Sequence, residues 1–250
     1  PMARVTLAGG SCVPPVLFVY SFDVALAAPP GSRVSLALCA AMRFQRAMTY
    51  IPDFSFEAAA ARRGYIRIAG VDEVGRGPLA GPVVAAAVWL DPDNIPEGMN
   101  DSKKLTAKRR EALYDQILAV ADVSIASCSV EEIDEINILQ ASLLAMERAV
   151  AGLKMKADYV LVDGNKIPAA FGLDAEAIVK GDARSLSISA ASIVAKTWRD
   201  RLMVDLAQQY PGYGWEKNAG YGTKLHMEGL AKFGVTPHHR RSFKPIHNML

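Results

Sequence analysis

The chain has 250 residues, 51% of them hydrophobic and 22% charged, with a formal net charge of +2. This composition is typical of a globular protein that buries a core, and it excludes a disordered or strongly basic chain. No apolar run reaches the roughly 18 residues that a membrane span needs, and the three cysteines, Cys12, Cys39 and Cys128, form no CxxC pair and no even set. We therefore expect no disulfide framework and a reducing, cytoplasmic setting.

Residues 1–47 differ in character from the rest of the chain. Their longest apolar run is interrupted by Asp23, and only Arg4 precedes it as a basic residue, so a secretory signal is the less favoured interpretation. We interpret residues 1–47 as an N-terminal extension outside the fold, with a native start at Met42 or Met48. Residues 48–250 then form one domain, with a helical region from about residue 210.

An opening hairpin is expected from Tyr65 onward, and patterns of strands and helices alternate after it. Apolar runs predict strands over 65–71, 83–90, 123–128, 159–162 and 177–179. Apolar positions at helical spacing predict helices around 113–121, 129–153, 186–209 and 223–233. This order predicts an α/β domain in which helices cover a mixed sheet.

The second of these helices has the clearest signature. Ser129 followed by Glu132 has the form of a capping box, which marks a helix N-terminus. Apolar residues then recur every three or four positions from Ile136 to Leu153. We interpret this stripe as the face that packs on the core.

Acidic residues follow three of the predicted strands. The strand predicted over 65–71 runs into Asp72 and Glu73, and the strand over 159–162 runs into Asp163. The strand over 177–179 ends near Asp182. One such acid is usually a helix cap or an ion-pair partner, but three strand ends that offer four carboxylates suggest a shared ligand, because ligands gather at the carboxyl ends of strands in α/β sheets. Oxygen ligands favour Mg²⁺ or Mn²⁺, and two such ions about 4 Å apart can activate a water and stabilise the leaving oxygen of a phosphodiester.

Other catalytic arrangements have less support. The chain has no HExxH motif, and its four histidines lie far from the acids in sequence, so zinc is the weaker prediction. It has no GxSxG motif either, which speaks against a serine triad.

Three segments near the acids are candidates for substrate binding. Gly75, Arg76 and Gly77 form either a tight turn or a backbone surface that approaches a 2′-hydroxyl. Lys103 and Lys104 are either a grip on phosphate or part of a solvated loop. Tyr221 stands between two glycines, where it either stacks on a sugar or base or packs in the core.

Two further features leave alternatives open. Lys196 and Arg199, on a helix rich in small residues, either lean toward the acids or merely pair with them. From Lys217 to the C-terminus six basic residues face one acid, Glu228, and this stretch is either a surface for a polyanion or a solvated tail. The six are Lys217, Lys224, Lys232, Arg240, Arg241 and Lys244.

These segments, taken in order, resemble bacterial ribonuclease HII over about residues 65–245. The resemblance is carried by AGVDEVGRGP (69–78), NDSKKL (100–105), DGN (163–165), KGD (180–182), ISAASIVAK (188–196), GYGTKLH (220–226) and HRRSF (239–243). Each motif alone is modest, whereas the ordered set is specific. Residues 1–47 have no counterpart in the family pattern.

The resemblance implies an RNase H-like fold with a C-terminal helical extension and a type 2 ribonuclease H activity. Asp72, Glu73, Asp163 and Asp182 would hold Mn²⁺ or Mg²⁺ as catalytic residues. Gly75, Arg76 and Gly77 would read the 2′-hydroxyl before the junction, and Tyr221 would stack on the following deoxyribose.

The implied substrates are RNA–DNA hybrids and single ribonucleotides embedded in duplex DNA. The implied products are 3′-hydroxyl and 5′-phosphate ends, released by a monomer that does not bind a membrane. Two alternatives remain: a type 3 ribonuclease H or DNA-directed nuclease of the same fold, and a nucleic-acid-binding module without catalysis. The Asp72–Glu73 pair favours type 2 over the first, and the retention of all four acids speaks against the second.

Overall fold

The computed structural model describes residues 51–250, so the extension expected over residues 1–47 lies outside the described residues. The helices and strands are α1 (Ser55–Arg62), β1 (Ile68–Val74), β2 (Val83–Trp89), α2 (Ala107–Val120), β3 (Asp122–Cys128), α3 (Val130–Ala151), β4 (Tyr159–Asp163), β5 (Asp174–Ile178), α4 (Leu186–Gln209), α5 (Trp215–Asn218), α6 (Lys224–Phe233) and α7 (Lys244–His247). Two 3₁₀ turns, Ala169–Phe171 and Gly181–Ala183, flank β5. In this part of the chain no helix combines the length and the apolar character required to cross a membrane.

The five strands form one sheet in the order β3-β2-β1-β4-β5. β1, β2 and β3 pair antiparallel as a meander, whereas β4 runs parallel to β1 and β5 runs parallel to β4. The sheet is therefore mixed and flanked by helices, which confirms the predicted fold class.

β2 lies between two layers of helix, and its sequence shows why. Val83, Ala85 and Ala87 belong to the cluster that packs against α3, while the alternate residues Val84 and Val88 belong to the cluster that packs against α2 and α4. Successive side chains of a strand point to opposite faces, so a strand covered on both faces must be apolar at every position.

The capping box at the start of α3 is present as predicted. The backbone amide of Glu132 donates to Ser129 Oγ at 3.3 Å, and the amide of Ser129 donates to Glu132 Oε2 at 2.8 Å. The regular stripe is interrupted, however, because Asn137 has a positive φ of 68° and its side chain accepts from the amides of Leu139 and Gln140. The side chain of Asn137 thus caps the second part of the helix. After the kink, Leu139 faces a cavity instead of the core.

Several boundaries differ from those predicted. The first strand begins at Ile68 and not at Tyr65, and Ile66 is 80% exposed. The short helix α1 has no strong pattern in the sequence, yet it is held by a buried contact: Glu57 Oε1 accepts from Ser185 Oγ at 2.6 Å and from the Ser187 amide at 2.9 Å, and so caps α4. A carboxylate at a helix N-terminus is favourable because it faces the unpaired amides and the positive end of the helix dipole.

The closest packing in the sheet brings β1 against the first turn of α4. A Cβ added to Gly70 would lie 2.2 Å from the backbone carbon of Ser187 and 2.4 Å from the amide nitrogen of Ile188. Only glycine fits here, since both neighbours are backbone atoms that cannot rotate away. This contact fixes the height of β1 relative to α4, and Asp72 lies two residues further along β1.

We predict that Gly70→Ala lowers the free energy of unfolding by more than about 3 kcal/mol, the upper part of the range for overpacking. The matched control is Gly64→Ala, where nothing lies within 4 Å of the added Cβ and only the φ of +102° is unfavourable. The control should cost about 1–2 kcal/mol. Urea unfolding of both variants measures the two values, and equal losses would show that the close contact with α4 does not limit the packing.

Candidate functional site

The parallel pairing of β1 and β4 brings two of the predicted acids together. Val71 is paired with Val162, so the residues that follow, Asp72 and Asp163, are neighbours at the carboxyl edge of the sheet. Asp182 does not end a strand as predicted: it lies in the 3₁₀ turn after β5. That turn is tied to β4, because Asp163 Oδ1 accepts from the amide of Gly181 at 2.7 Å and from the amide of Asp182 at 3.4 Å.

The pleat of β1 sends its two acids to opposite faces of the sheet. Asp72 points toward α4, where Ser192 hydrogen-bonds it, and Ser192 in turn contacts Ser102 with 2.9 Å between the two hydroxyl oxygens. Glu73 points toward α3 and lines a cavity of about 380 Å³. The cavity is also lined by Asp163 and Asn165 of the loop after β4.

Asp163 is the common electrostatic neighbour of the other three acids, which together with it we call the acidic cluster (Asp72, Glu73, Asp163 and Asp182). Burial, followed by the carboxylates of Asp163 and Glu73, raises the pKa of Asp72 well above its ordinary value. Burial and then Asp163 likewise raise the pKa of Asp182. The pKa of Glu73 is also raised, mainly by burial, although Arg76 opposes this rise. The four carboxylates therefore lie in one neighbourhood and repel one another.

Two cationic side chains reach the acidic cluster from its rim. Arg76 Nη1 lies 3.3 Å from Glu73 Oε1, and Lys103 Nζ lies 3.8 Å from Asp182 Oδ2. Burial lowers the pKa of Lys103, but the carboxylates of Asp182 and Asp72 outweigh this effect and raise it. Both cations are well exposed, with side-chain exposures of 49% and 81%, so they offset only a small part of the negative charge.

The chemistry of the acidic cluster fits a hard divalent cation. Asp72 and Asp182 are each only 7% exposed, and a buried carboxylate is costly unless it is paired or binds a cation. Within residues 51–250 no three acidic, histidine or cysteine side chains already form a group that could hold a metal ion.

The segment Gly75–Gly77 is held in place by Arg240, a buried arginine of the basic C-terminal stretch. Arg240 is fully buried, and its guanidinium donates to the carbonyl oxygens of Gly75 at 2.5 Å, Arg76 at 3.0 Å and Gly81 at 2.9 Å. Burial lowers the pKa of Arg240 to about 9. The other five basic residues of that stretch are exposed as expected.

Arg199 does not lean toward the acids. It is 1% exposed and donates to the carbonyl oxygens of Pro82, Ala80 and Ala219 at 3.0–3.1 Å. Lys196 also turns elsewhere, since its Nζ lies 2.6 Å from Asp200 Oδ1. Arg199 and Arg240 therefore stabilise the loops beside the acidic cluster, a role that nothing in their sequence spacing indicates.

The remaining candidate residues are exposed, apart from Gly75, which is buried. Tyr221 is 48% exposed, which argues against the core-packing alternative, and its ring is so close to Gly77 that an added Cβ would lie 3.2 Å from its Cε1 atom. Gly75 has a positive φ of 94°, as a tight turn requires. Lys104 is exposed on the same loop as Lys103. The structure thus brings Gly77 and Tyr221 together, and it places Lys103 but not Lys104 in contact with the acids.

Comparison with known proteins shows which proteins this chain resembles. The family model described as Ribonuclease HII matches residues 69–246. A ribonuclease HII of Ruegeria pomeroyi is 67% identical over 89% of this chain and 97% of its own length, and one from Ruegeria sp. is 62% identical over 92% of this chain and 97% of its own. Both alignments are longer than the segment from Met48 to Leu250. They therefore include part of the segment that was expected to be an extension. The crystal structure of ribonuclease H2 from Pyrococcus horikoshii is 30% identical and aligns with a TM-score of 0.62 over 74% of this chain and 97% of that one.

We predict that Asp72→Asn raises the thermal midpoint of the protein at pH 7 in the absence of divalent ions. The pKa of Asp72 is raised in the folded state. The stability that this carboxyl contributes is therefore fully present at a pH below its pKa in the unfolded chain, and it is lost as the pH rises through the folded-state pKa. Asparagine keeps the hydrogen-bond acceptor and removes the repelled charge. Adding Mn²⁺ should then raise the midpoint of the wild type more than that of the variant, because a ligand that binds only the folded state stabilises it. Equal responses to Mn²⁺ would contradict a metal-binding role for Asp72.

Proposed function

Since the chain belongs to the ribonuclease HII family and is therefore a nuclease hydrolase of the ribonuclease H type, we propose that it cuts duplex DNA at single embedded ribonucleotides as well as RNA–DNA hybrids. Cleavage would occur on the 5′ side of the ribonucleotide and leave 3′-hydroxyl and 5′-phosphate ends. The observation that carries the proposal is the convergence of four carboxylates. Asp72 and Asp163 are neighbours at the carboxyl ends of β1 and β4, Asp163 accepts from the amides of the turn that carries Asp182, and Asp163 is the shared electrostatic neighbour of the other three.

We propose that Asp72, Glu73, Asp163 and Asp182 hold two divalent ions, Mn²⁺ or Mg²⁺. When bound, such ions supply a nucleophile at neutral pH and offset the charge that develops on the leaving oxygen. The protein itself fixes the carboxylates: the amide of Gly181 orients Asp163, and the amide of Glu73 donates to Asp72 Oδ1 at 2.7 Å.

Recognition of the ribonucleotide is assigned to the surface beside the acidic cluster. The backbone of Gly75–Gly77, clamped by Arg240, would meet the 2′-hydroxyl, which is the group that distinguishes RNA from DNA at a site. Tyr221, next to Gly77 and half exposed, would stack on the deoxyribose that follows. Lys103 and Lys104 would bind backbone phosphates. We also propose that the protein acts as a monomer in the cytoplasm.

A binding module without catalysis is the alternative from a different class. Both functions need the exposed basic residues and Tyr221, but only a nuclease needs buried carboxylates that destabilise the metal-free fold. Turnover that depends on Mn²⁺ separates the two, because a pure binder shows none.

We predict that Asp72→Asn lowers cleavage of a duplex with one embedded ribonucleotide by at least about 100-fold, the upper end of the loss that follows a change in a metal ligand's surroundings. Binding of the duplex should persist, since the variant removes a negative charge. Single-turnover cleavage and a fluorescence binding assay measure the two effects. Asp93→Asn, at an exposed acid remote from the acidic cluster, is the matched control. Undiminished cutting by the Asp72 variant would remove this residue from the proposed site.

A further inference from the structure

Three aromatic side chains form a buried hydrogen-bonded cluster beneath the surface that carries Tyr221. His226 and His239 are fully buried and Trp215 is 1% exposed. His226 Nε2 lies 3.0 Å from His239 Nε2 and 3.0 Å from the indole nitrogen of Trp215. The cluster belongs to none of the metal-binding or substrate-binding roles assigned above, and its polar atoms need a reason to be buried.

The partners of these rings determine where each proton sits. The Thr236 amide donates to His239 Nδ1 at 2.9 Å, so this nitrogen is an acceptor and the ring proton of His239 is on Nε2. His239 Nε2–H therefore donates to His226 Nε2, which also accepts from Trp215, since indole is only a donor. The proton of His226 is then on Nδ1. Burial, and then His226, lower the pKa of His239 to about 4, and burial lowers that of His226, so both rings are neutral at physiological pH.

The chain of donors ends on the backbone of Tyr221. His226 Nδ1 lies 2.9 Å from the carbonyl oxygen of Tyr221, to which it donates in the assigned tautomer. The glycine before Tyr221 has a positive φ of 85° and no room for a side chain, because an added Cβ would lie 2.5 Å from Ala80 O. The backbone on the N-terminal side of Tyr221 is thus packed tightly, and His226 fixes its carbonyl from the other side.

The other end of the cluster leads to the segment that faces Tyr221. His239 pairs with Ala80 in an isolated bridge, and the next residue, Arg240, holds the carbonyl oxygens of Gly75 and Arg76. The bond between His226 and His239 therefore joins the support of Tyr221 to the support of Gly75–Gly77.

We infer that His226 is a positioning residue for Tyr221, held in the Nδ1–H tautomer by His239 and Trp215, and that it sets the selectivity for a junction between ribonucleotide and deoxyribonucleotide. The inference rests on the proposed function, in which Tyr221 stacks on the deoxyribose. It adds that the position of the Tyr221 ring depends on the hydrogen bond from His226 Nδ1 to the Tyr221 carbonyl oxygen.

The test compares His226→Asn with His226→Leu in the full chain. Asparagine places a donor close to the position of Nδ1, whereas leucine does not, and both variants lose the bonds to His239 and Trp215 equally. The measurement is the ratio of kcat/KM for a duplex with one embedded ribonucleotide to kcat/KM for a long RNA–DNA hybrid, in Mn²⁺. Leucine should lower this ratio by about tenfold, within the range that aromatic stacking contributes, and asparagine should restore it. His247→Leu, at an exposed histidine outside the cluster, is the control and should leave the ratio unchanged.

Tyr221→Ala, measured in parallel, separates failure of the inference from failure of the proposed function. An unchanged ratio for Tyr221→Ala would overturn the assigned role of Tyr221 itself. A lowered ratio for Tyr221→Ala with an unchanged one for His226→Leu would overturn only the positioning role. If the leucine variant does not fold, ¹⁵N NMR of the wild-type histidines decides: Nδ1–H in His226 and Nε2–H in His239 support the inference, and the reverse assignment in His226 overturns it.

Discussion

The repulsion among four carboxylates at one sheet edge is the interaction on which the rest of the site depends. Placing like charges together in a buried setting opposes folding, and it persists only where the surrounding structure fixes them. Here the parallel pairing of β1 and β4 fixes Asp72 and Asp163 beside each other. The amide of Gly181, in the turn after β5, also orients the carboxylate of Asp163. The close contact between Gly70 and α4 holds β1 at the height that this geometry needs.

A second constraint comes from two buried arginines whose guanidinium groups donate to backbone carbonyl oxygens. Arg199 and Arg240 each bind three backbone carbonyls, and their partners come from the loops around residues 75–82 and from Ala219. A guanidinium offers five donors in a rigid fork, so one side chain can fix several segments that lack regular secondary structure. The loops that face substrate are thereby held from the inside, while their outer surface stays open.

Most of the fold could be predicted from the sequence because it depends on local patterns. The apolar runs of β2 and β3, the bounds of α4 and the capping box of α3 all follow from residue type and spacing. The helix α1 could not be predicted, since it is held by a distant contact between Glu57 and the start of α4. The kink at Asn137 could not be predicted either, because a regular stripe of apolar residues runs through it. The four acids could be singled out by their positions after strands, but the turn that carries Asp182 and the burial of Arg240 depend on tertiary contacts that spacing does not encode.

The opposite orientation of Asp72 and Glu73 also limits how this strand can change over evolutionary time. One residue inserted or deleted between Ile68 and Asp72 would exchange the faces of the two acids, so that the one now beside Ser192 would turn toward α3. It would also move Gly70 away from the backbone of Ser187 and Ile188 in α4, where an added Cβ does not fit. Length variation in this strand is therefore excluded twice, whereas the loop after Leu90 lies outside the strand and is not subject to these two constraints.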